Sequence, residues 1–294
     1  MAGSVLSKMF GSLFGAKKEV VGASVGSTDV SATMKPQEPQ SGPSAASVSY
    51  GDHEMDARSV SLSKTLEEKA PHLVSLAKTI DVSLKKNNLQ TLTAKVAFVL
   101  DASGSMQGEF KKGNVQAVLD RIAVLATQFD DDGNLDLWGF ASNFKKYEDV
   151  TLDNLKGYVE RIQKGASGWN ILPGLGASNN EPPVMMDIIK TFKNSEEPVI
   201  VYFITDGGID KNNQIKKAIA ESAHYPIYWK FVGLGGNNYG ALEDLDDFTD
   251  RVIDNTDFFP IDDFKKVSDE VLYQKLLSCI DDWRKEAKQK GIMS

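Results

Sequence analysis

The chain has 294 residues, 33 of them Lys or Arg and 41 Asp or Glu, for a formal net charge of −8. A hydrophobic share of 41% is enough for a buried core, which excludes a fibrous or wholly disordered chain, and a pI near 5.1 argues against a broad phosphate-binding surface. One cysteine, Cys279, excludes an intrachain disulfide and a thiolate zinc site, and a reducing, cytosolic compartment fits best.

Residues 1–50 are dominated by Ser, Gly, Ala and Pro, and such a stretch buries too little surface to offset its ordering entropy, so a disordered tail is expected. Within it Val5, Leu6, Met9, Phe10, Leu13 and Phe14 fall on one helical stripe, either a docking helix for a partner or membrane surface or a tail without consequence. Lys8 stands where an export signal needs its apolar core and Ala2 where myristoylation needs glycine, so no export signal is expected. Residues 58–93 read as an extension packed on the core, helical over 66–76 with an interruption at Pro71, then extended or turning over 82–89.

From 94 to 290 strands and helices alternate. Strands are expected at 95–100, 135–140, 144–147, 199–205, 227–234 and 251–259, and helices at 115–129, 152–163, 184–193, 213–223, 241–248 and, in one long run, 262–290. The longest apolar runs are strand-sized, far below the ~18 residues of a membrane span, so no transmembrane helix is expected. Continuous Val/Ile/Phe strands between amphipathic helices indicate an α/β fold, a doubly wound, mostly parallel sheet covered on both faces, whose ligands bind at the carboxyl ends of strands where strand order reverses.

Two motifs sit at such ends. DASGSM follows the first strand and places Asp101, Ser103 and Ser105 at alternate positions of one loop; ITDGG ends a later strand at Asp206. One carboxylate and two hydroxyls, joined by a second carboxylate, form an all-oxygen set suited to Mg²⁺ or Mn²⁺. Each motif alone reads equally as a helix cap or a turn. The pair at matching topological positions favours a shared site.

These residues resemble a von Willebrand factor A (vWA) domain over roughly 94–290. The wider context, including SLKKNNL, FDDDGNLDLWGF, VTLDNLKGYVER and NNEPPVMMDII, resembles the bacterial tellurium-resistance-associated, TerF-like vWA group. The resemblance implies a metal-ion-dependent adhesion site. Ser103 and Ser105 would bind the ion directly and Asp101 and Asp206 through water, leaving a coordination position for an Asp or Glu of a protein partner. The family's middle-loop threonine is replaced here. Ser178, with Asn179 beside it, precedes Pro182 and Pro183 at the start of the next helix as the family's Thr loop does; in the other candidate, SGWN, Trp169 cannot ligate but Asn170 can.

The expected role is metal-dependent protein binding without turnover, in a tellurium- or stress-resistance system. The alternatives are a metal-independent scaffold with a vestigial site and a metal-dependent phosphohydrolase, against which stands the absence of D-x-D after the first strand. There is no GK[ST] phosphate loop and no G-x-S-x-G elbow; GLGGNNYG lacks the spacing of a dinucleotide fingerprint, and neither DDDGN nor LEDLDDF has calcium-loop spacing. Between 241 and 270 stand eleven acidic and three basic residues, which accounts for the whole net charge and marks either a solvated face or a surface for a basic partner.

Overall fold

A computed structural model describes residues 57–129, 133–209, 211–236 and 239–294; the expected tail and its apolar stripe lie outside these residues, as does most of DDDGN. The chain opens with helix α1 (Ala57–Lys69), a 3₁₀ turn at Pro71–Leu73 and α2 (Val74–Lys86), and enters β1 (Lys95–Asp101). It continues through α3 (Gln107–Lys111), α4 (Asn114–Phe129), β2 (Leu135–Phe140), β3 (Phe144–Lys146), α5 (Tyr158–Ile162), α6 (Glu181–Phe192) and β4 (Val199–Thr205). The last third holds α7 (Asn212–Ser222), β5 (Ile227–Leu234), α8 (Gly240–Asp246), β6 (Thr256–Ile261), α9 (Asp269–Leu277) and α10 (Ile280–Gln289). No described helix is long and apolar enough to cross a membrane.

The six strands form one sheet in the order β3-β2-β1-β4-β5-β6, parallel except for the edge strand β3. Because successive side chains of a strand point to opposite faces, the unbroken apolar runs divide by parity. In β1, Val96, Phe98 and Leu100 join one core cluster and Ala97 and Val99 the other; in β4, Ile200, Tyr202 and Ile204 oppose Val201 and Phe203. The first face is covered by α1, α2, α4, α9 and α10, the second by α6, α7 and α8. Each fully buried Leu, Ile, Val or Phe contributes about 1.5–3 kcal/mol.

Several expectations need correction. Residues 82–86 are helical, because Leu76, Ile80 and Leu84 share the buried face of α2 and carry it on to Lys86; Asn88, at φ 57°, then turns the chain. Only 158–162 of the segment 152–163 is helical, since Gly157 holds a left-handed φ of 66° that a helix cannot include. The last strand starts at Thr256 instead of Arg251: the Arg251 guanidinium donates to the Asp246 carbonyl (2.8 Å) and to Asp254 (2.7 Å), folding 251–255 against the end of α8. The expected 262–290 helix is a 3₁₀ turn, α9 and α10, with a break at Ser278–Cys279. Lys230, the charged residue buried inside β5, reaches that break; its ammonium donates to the Ser278 carbonyl (2.8 Å) and hydroxyl (3.0 Å) and pairs with Asp257. A buried cation needs those oxygens more than the helix needs continuity.

Candidate metal centre

The sheet runs outward in two directions from β1 and β4, so strand order reverses between them and a crevice opens at their carboxyl ends. Asp101 closes β1 and is fully buried. Its Oδ1 accepts from the Ser103 amide at 2.7 Å, the bond that folds the loop into a tight turn, and its Oδ2 accepts from the Thr205 hydroxyl at 2.8 Å, which ties it to the end of β4. Burial raises the Asp101 pKa to about 6 despite these bonds, and neighbouring Asp206 adds to the rise. The Ser103 and Ser105 hydroxyls lie 3.1 Å apart, Ser103 buried and Ser105 exposed. Asp206, half-buried, accepts weakly from the Gly208 amide at 3.4 Å.

The middle loop is held against this pair of strand ends by its backbone. The Gly104 amide donates to the Ala177 carbonyl at 2.9 Å, while Ser142, just beyond β2, accepts from the amides of Ala177 (3.3 Å) and Ser178 (3.2 Å). Gly176 lies between with φ 83°, and a Cβ there would sit 2.6 Å from the Ser142 Oγ, so the close approach requires glycine. Ser103, Gly104, Ser105, Ser178, Asn179 and Gly208 consequently line one open cleft of about 540 Å³. Asn179 donates its amide to the Gly208 carbonyl, and its Oδ1 is buried with no hydrogen-bond partner among the described residues. Trp169 leans over the mouth against Gly104 with 64% of its surface exposed.

A family model for vWA-TerF-like domains, described as the vWA found in the TerF C terminus, matches residues 93–293. The chain belongs to this family. It is 40% identical over 219 residues to YcbR, an uncharacterized protein of Bacillus subtilis (strain 168), spanning 74% of this chain and 88% of that one. A von Willebrand factor A domain-containing protein of Dictyostelium discoideum is 27% identical over 144 residues, 46% of this chain but 14% of its own length. Among solved structures, proximal thread matrix protein 1 from the mussel byssus aligns with a TM-score of 0.45 at 18% identity, over 64% of this chain and 48% of that one. The SpRpn10 VWA domain aligns at 0.41 and 10% identity, over 58% and 88%.

Within this vWA-TerF-like domain, Ser103, Ser105, Ser178 and Asn179 meet in the cleft, with Asp101 beneath them and Asp206 at its edge. Asn170 does not join them: its Oδ1 accepts from the Gly176 amide at 3.1 Å and braces the loop. Among the described residues no three His, Cys, Asp or Glu side chains converge on a metal site, so an ion here would rely on two carboxylates and neutral oxygens. The set fits a hard cation in one specific respect, the buried, unsatisfied Asn179 oxygen beside two hydroxyls. Sequence reasoning missed Thr205 and Ser142, which position Asp101 and the middle loop. Thr205 had a signal, standing directly before Asp206 at the strand end; Ser142 had none, because its role depends on a loop folding back from 35 residues away.

Proposed function

We propose that Asp101, Ser103, Ser105, Asp206 and the Ser178–Asn179 pair hold a divalent cation, Mg²⁺ or Mn²⁺, and that this vWA-TerF-like domain uses the cleft to engage an acidic group of a protein partner. The observation carrying this reading is the convergence of three loops on one cleft in which the Asn179 Oδ1 is buried and has no partner among the described residues. A bound ion would supply Lewis acidity toward a partner's carboxylate. The chain's own part is orientation. Thr205 and the Ser103 amide fix Asp101, Ser142 fixes the middle loop, and exposed Trp169 offers an apolar contact at the rim.

In this reading the role is binding, supported by a described cleft lining of hydroxyl and amide groups, oxygen donors that suit a hard cation. Family membership supports a place in a tellurium- or stress-resistance system, and the single cysteine supports a reducing cytoplasm.

Thermal unfolding with and without metal tests the reading. An ion at about 100 times its Kd adds about 2.7 kcal/mol, or about 5–10 °C of Tm for a domain of this size. Wild type should show that rise with Mg²⁺ or Mn²⁺, and Asp206→Ala should not. A wild type that ignores both metals, or an equal rise in the variant, overturns the metal site; partner capture that persists in EDTA would then favour a metal-independent scaffold.

A further inference from the structure

The acidic segment folds into a cavity. At the amino ends of β5 and β6, the end of the parallel sheet opposite Asp101, a cleft of about 290 Å³ is bounded by Asp246, Asp254, Asp257, Asp282 and Glu286. Two of the five carboxylates have cations of their own: Lys230 pairs with Asp257 and Arg251 with Asp254. Among the described residues Asp282 pairs only with Lys285, at 3.7 Å, and that ammonium lies nearer Asp281, at 2.7 Å. Asp246 and Glu286 have no ion pair among the described residues. The cleft is thus left with more carboxylates than cations, Asp246 and Glu286 half-buried and Asp282 exposed at its rim.

An independent observation points to an occupant. Tyr228 and Trp283 form the inner wall, 1% and 3% exposed, their rings 5.1 Å apart, and among the described residues neither the Tyr228 hydroxyl nor the Trp283 Nε1 has a hydrogen-bond partner. Buried polar tips of this kind normally find partners. The Tyr228 ring already faces one cation, the Lys230 ammonium at 5.8 Å. Among the described residues no three carboxylate, thiolate or imidazole groups here converge with metal-ligating geometry. A cavity near the small end of the ligand range of about 300–1,000 Å³ suits one extended side chain.

We propose that this cleft receives an arginine side chain of a partner protein, its guanidinium set among Asp246, Asp282 and Glu286 against the Tyr228–Trp283 wall. A guanidinium pairs with carboxylates as a planar fork and stacks on aromatic faces. The Tyr228 hydroxyl accepts from it, while the Trp283 N–H, which can only donate, takes a peptide carbonyl. The domain then selects opposite charges at the two ends of one sheet.

The test follows the indole N–H signals of the full-length ¹⁵N-labelled chain, which has four tryptophans, with Trp283 assigned by its loss in Trp283→Phe. Acetyl-arginine methylamide should shift the Trp283 signal and saturate in the millimolar range. The citrulline analogue, nearly isosteric but uncharged, should bind at least tenfold more weakly, and so should arginine with the Asp246→Asn/Glu286→Gln variant. Citrulline binding as well as arginine, an unmoved Trp283 signal, or saturation by Mg²⁺ or Ca²⁺ at lower concentration overturns the proposal. If the double variant fails to fold, seen as collapse of the other indole signals, the citrulline comparison on wild type decides.

Discussion

Asp101 illustrates what a single residue costs and contributes. Burial disfavours its charge, and Thr205 offsets part of that penalty with one hydroxyl, so Thr205→Val, which keeps shape and removes the donor, leaves a buried acceptor unsatisfied. A loss of about 1–3 kcal/mol in urea unfolding is expected, together with a weakened Mg²⁺ response in the melting assay. Asp246 makes a pH-dependent case. Burial, with Asp257 and Asp254 nearby and only Arg251 opposing them, lifts its pKa to about 7, against about 3.9 in the unfolded chain. Between those values the folded state binds more protons, so this group's contribution to stability is present at low pH and is lost as pH rises toward 7. Asp246→Asn is insensitive to that titration. Its stability relative to wild type should therefore rise between pH 5 and pH 8 in urea unfolding, and a constant difference would refute the shift.

Among the elements, the hinge between α9 and α10 depends on a strand. Lys230 is buried in β5 yet its ammonium takes the carbonyl and hydroxyl of Ser278, where α9 stops, and Asp257 of β6 balances the charge. Lys230→Met would keep the packing volume and strand Asp257 without a cation, with an expected cost of about 3–5 kcal/mol by denaturant titration. Helical periodicity from 262 to 290 is real, since Leu272, Leu276, Ile280, Trp283 and Ala287 are all buried. It extends across the break because both helices lie on the same sheet face, and periodicity reports a buried face without reporting a change of axis. The same reasoning explains 82–86, where polar Ser83, Lys85 and Lys86 mask an apolar stripe that continues from α2. The strand beginning at 251 failed for another reason: Arg251 is drawn back to Asp246 and Asp254 by charge, an interaction that β propensity does not register.

For the whole molecule, residues before the family match have structural weight. Leu62 and Leu66 of α1 and Leu76, Ile80 and Leu84 of α2 are buried in the same cluster as α4 and α9, and a Ser59–Asp81 hydrogen bond of 2.8 Å joins the two helices. Removing residues 1–92 would bare that face of α4 and α9. Such a truncated chain is expected to lose its cooperative melt or to associate, as seen by calorimetry and gel filtration; a monomer melting like the full chain would show the helices to be dispensable.

Much of this protein was legible in its residues. Unbroken apolar strands alternating with amphipathic helices can be buried only between two helical layers, so the α/β class followed from pattern. DASGSM and ITDGG marked Asp101, Ser103, Ser105 and Asp206 because each stands where an apolar run ends, which in a parallel sheet is the ligand-bearing edge. The middle loop was ambiguous, since Asn170 and Asn179 have the same chemistry, and only folding showed that one braces Gly176 while the other reaches the cleft. The net charge of −8 was equally undecided, as a count does not say where side chains point. Tertiary structure divided the acidic segment, sending Asp246, Asp254 and Asp257 into a cavity with Asp282 and Glu286, residues from a helix that sequence distance kept apart. Local pattern determines which face of each element is buried; convergence of residues far apart in the chain depends on strand order and helix breaks, which are properties of the assembled sheet.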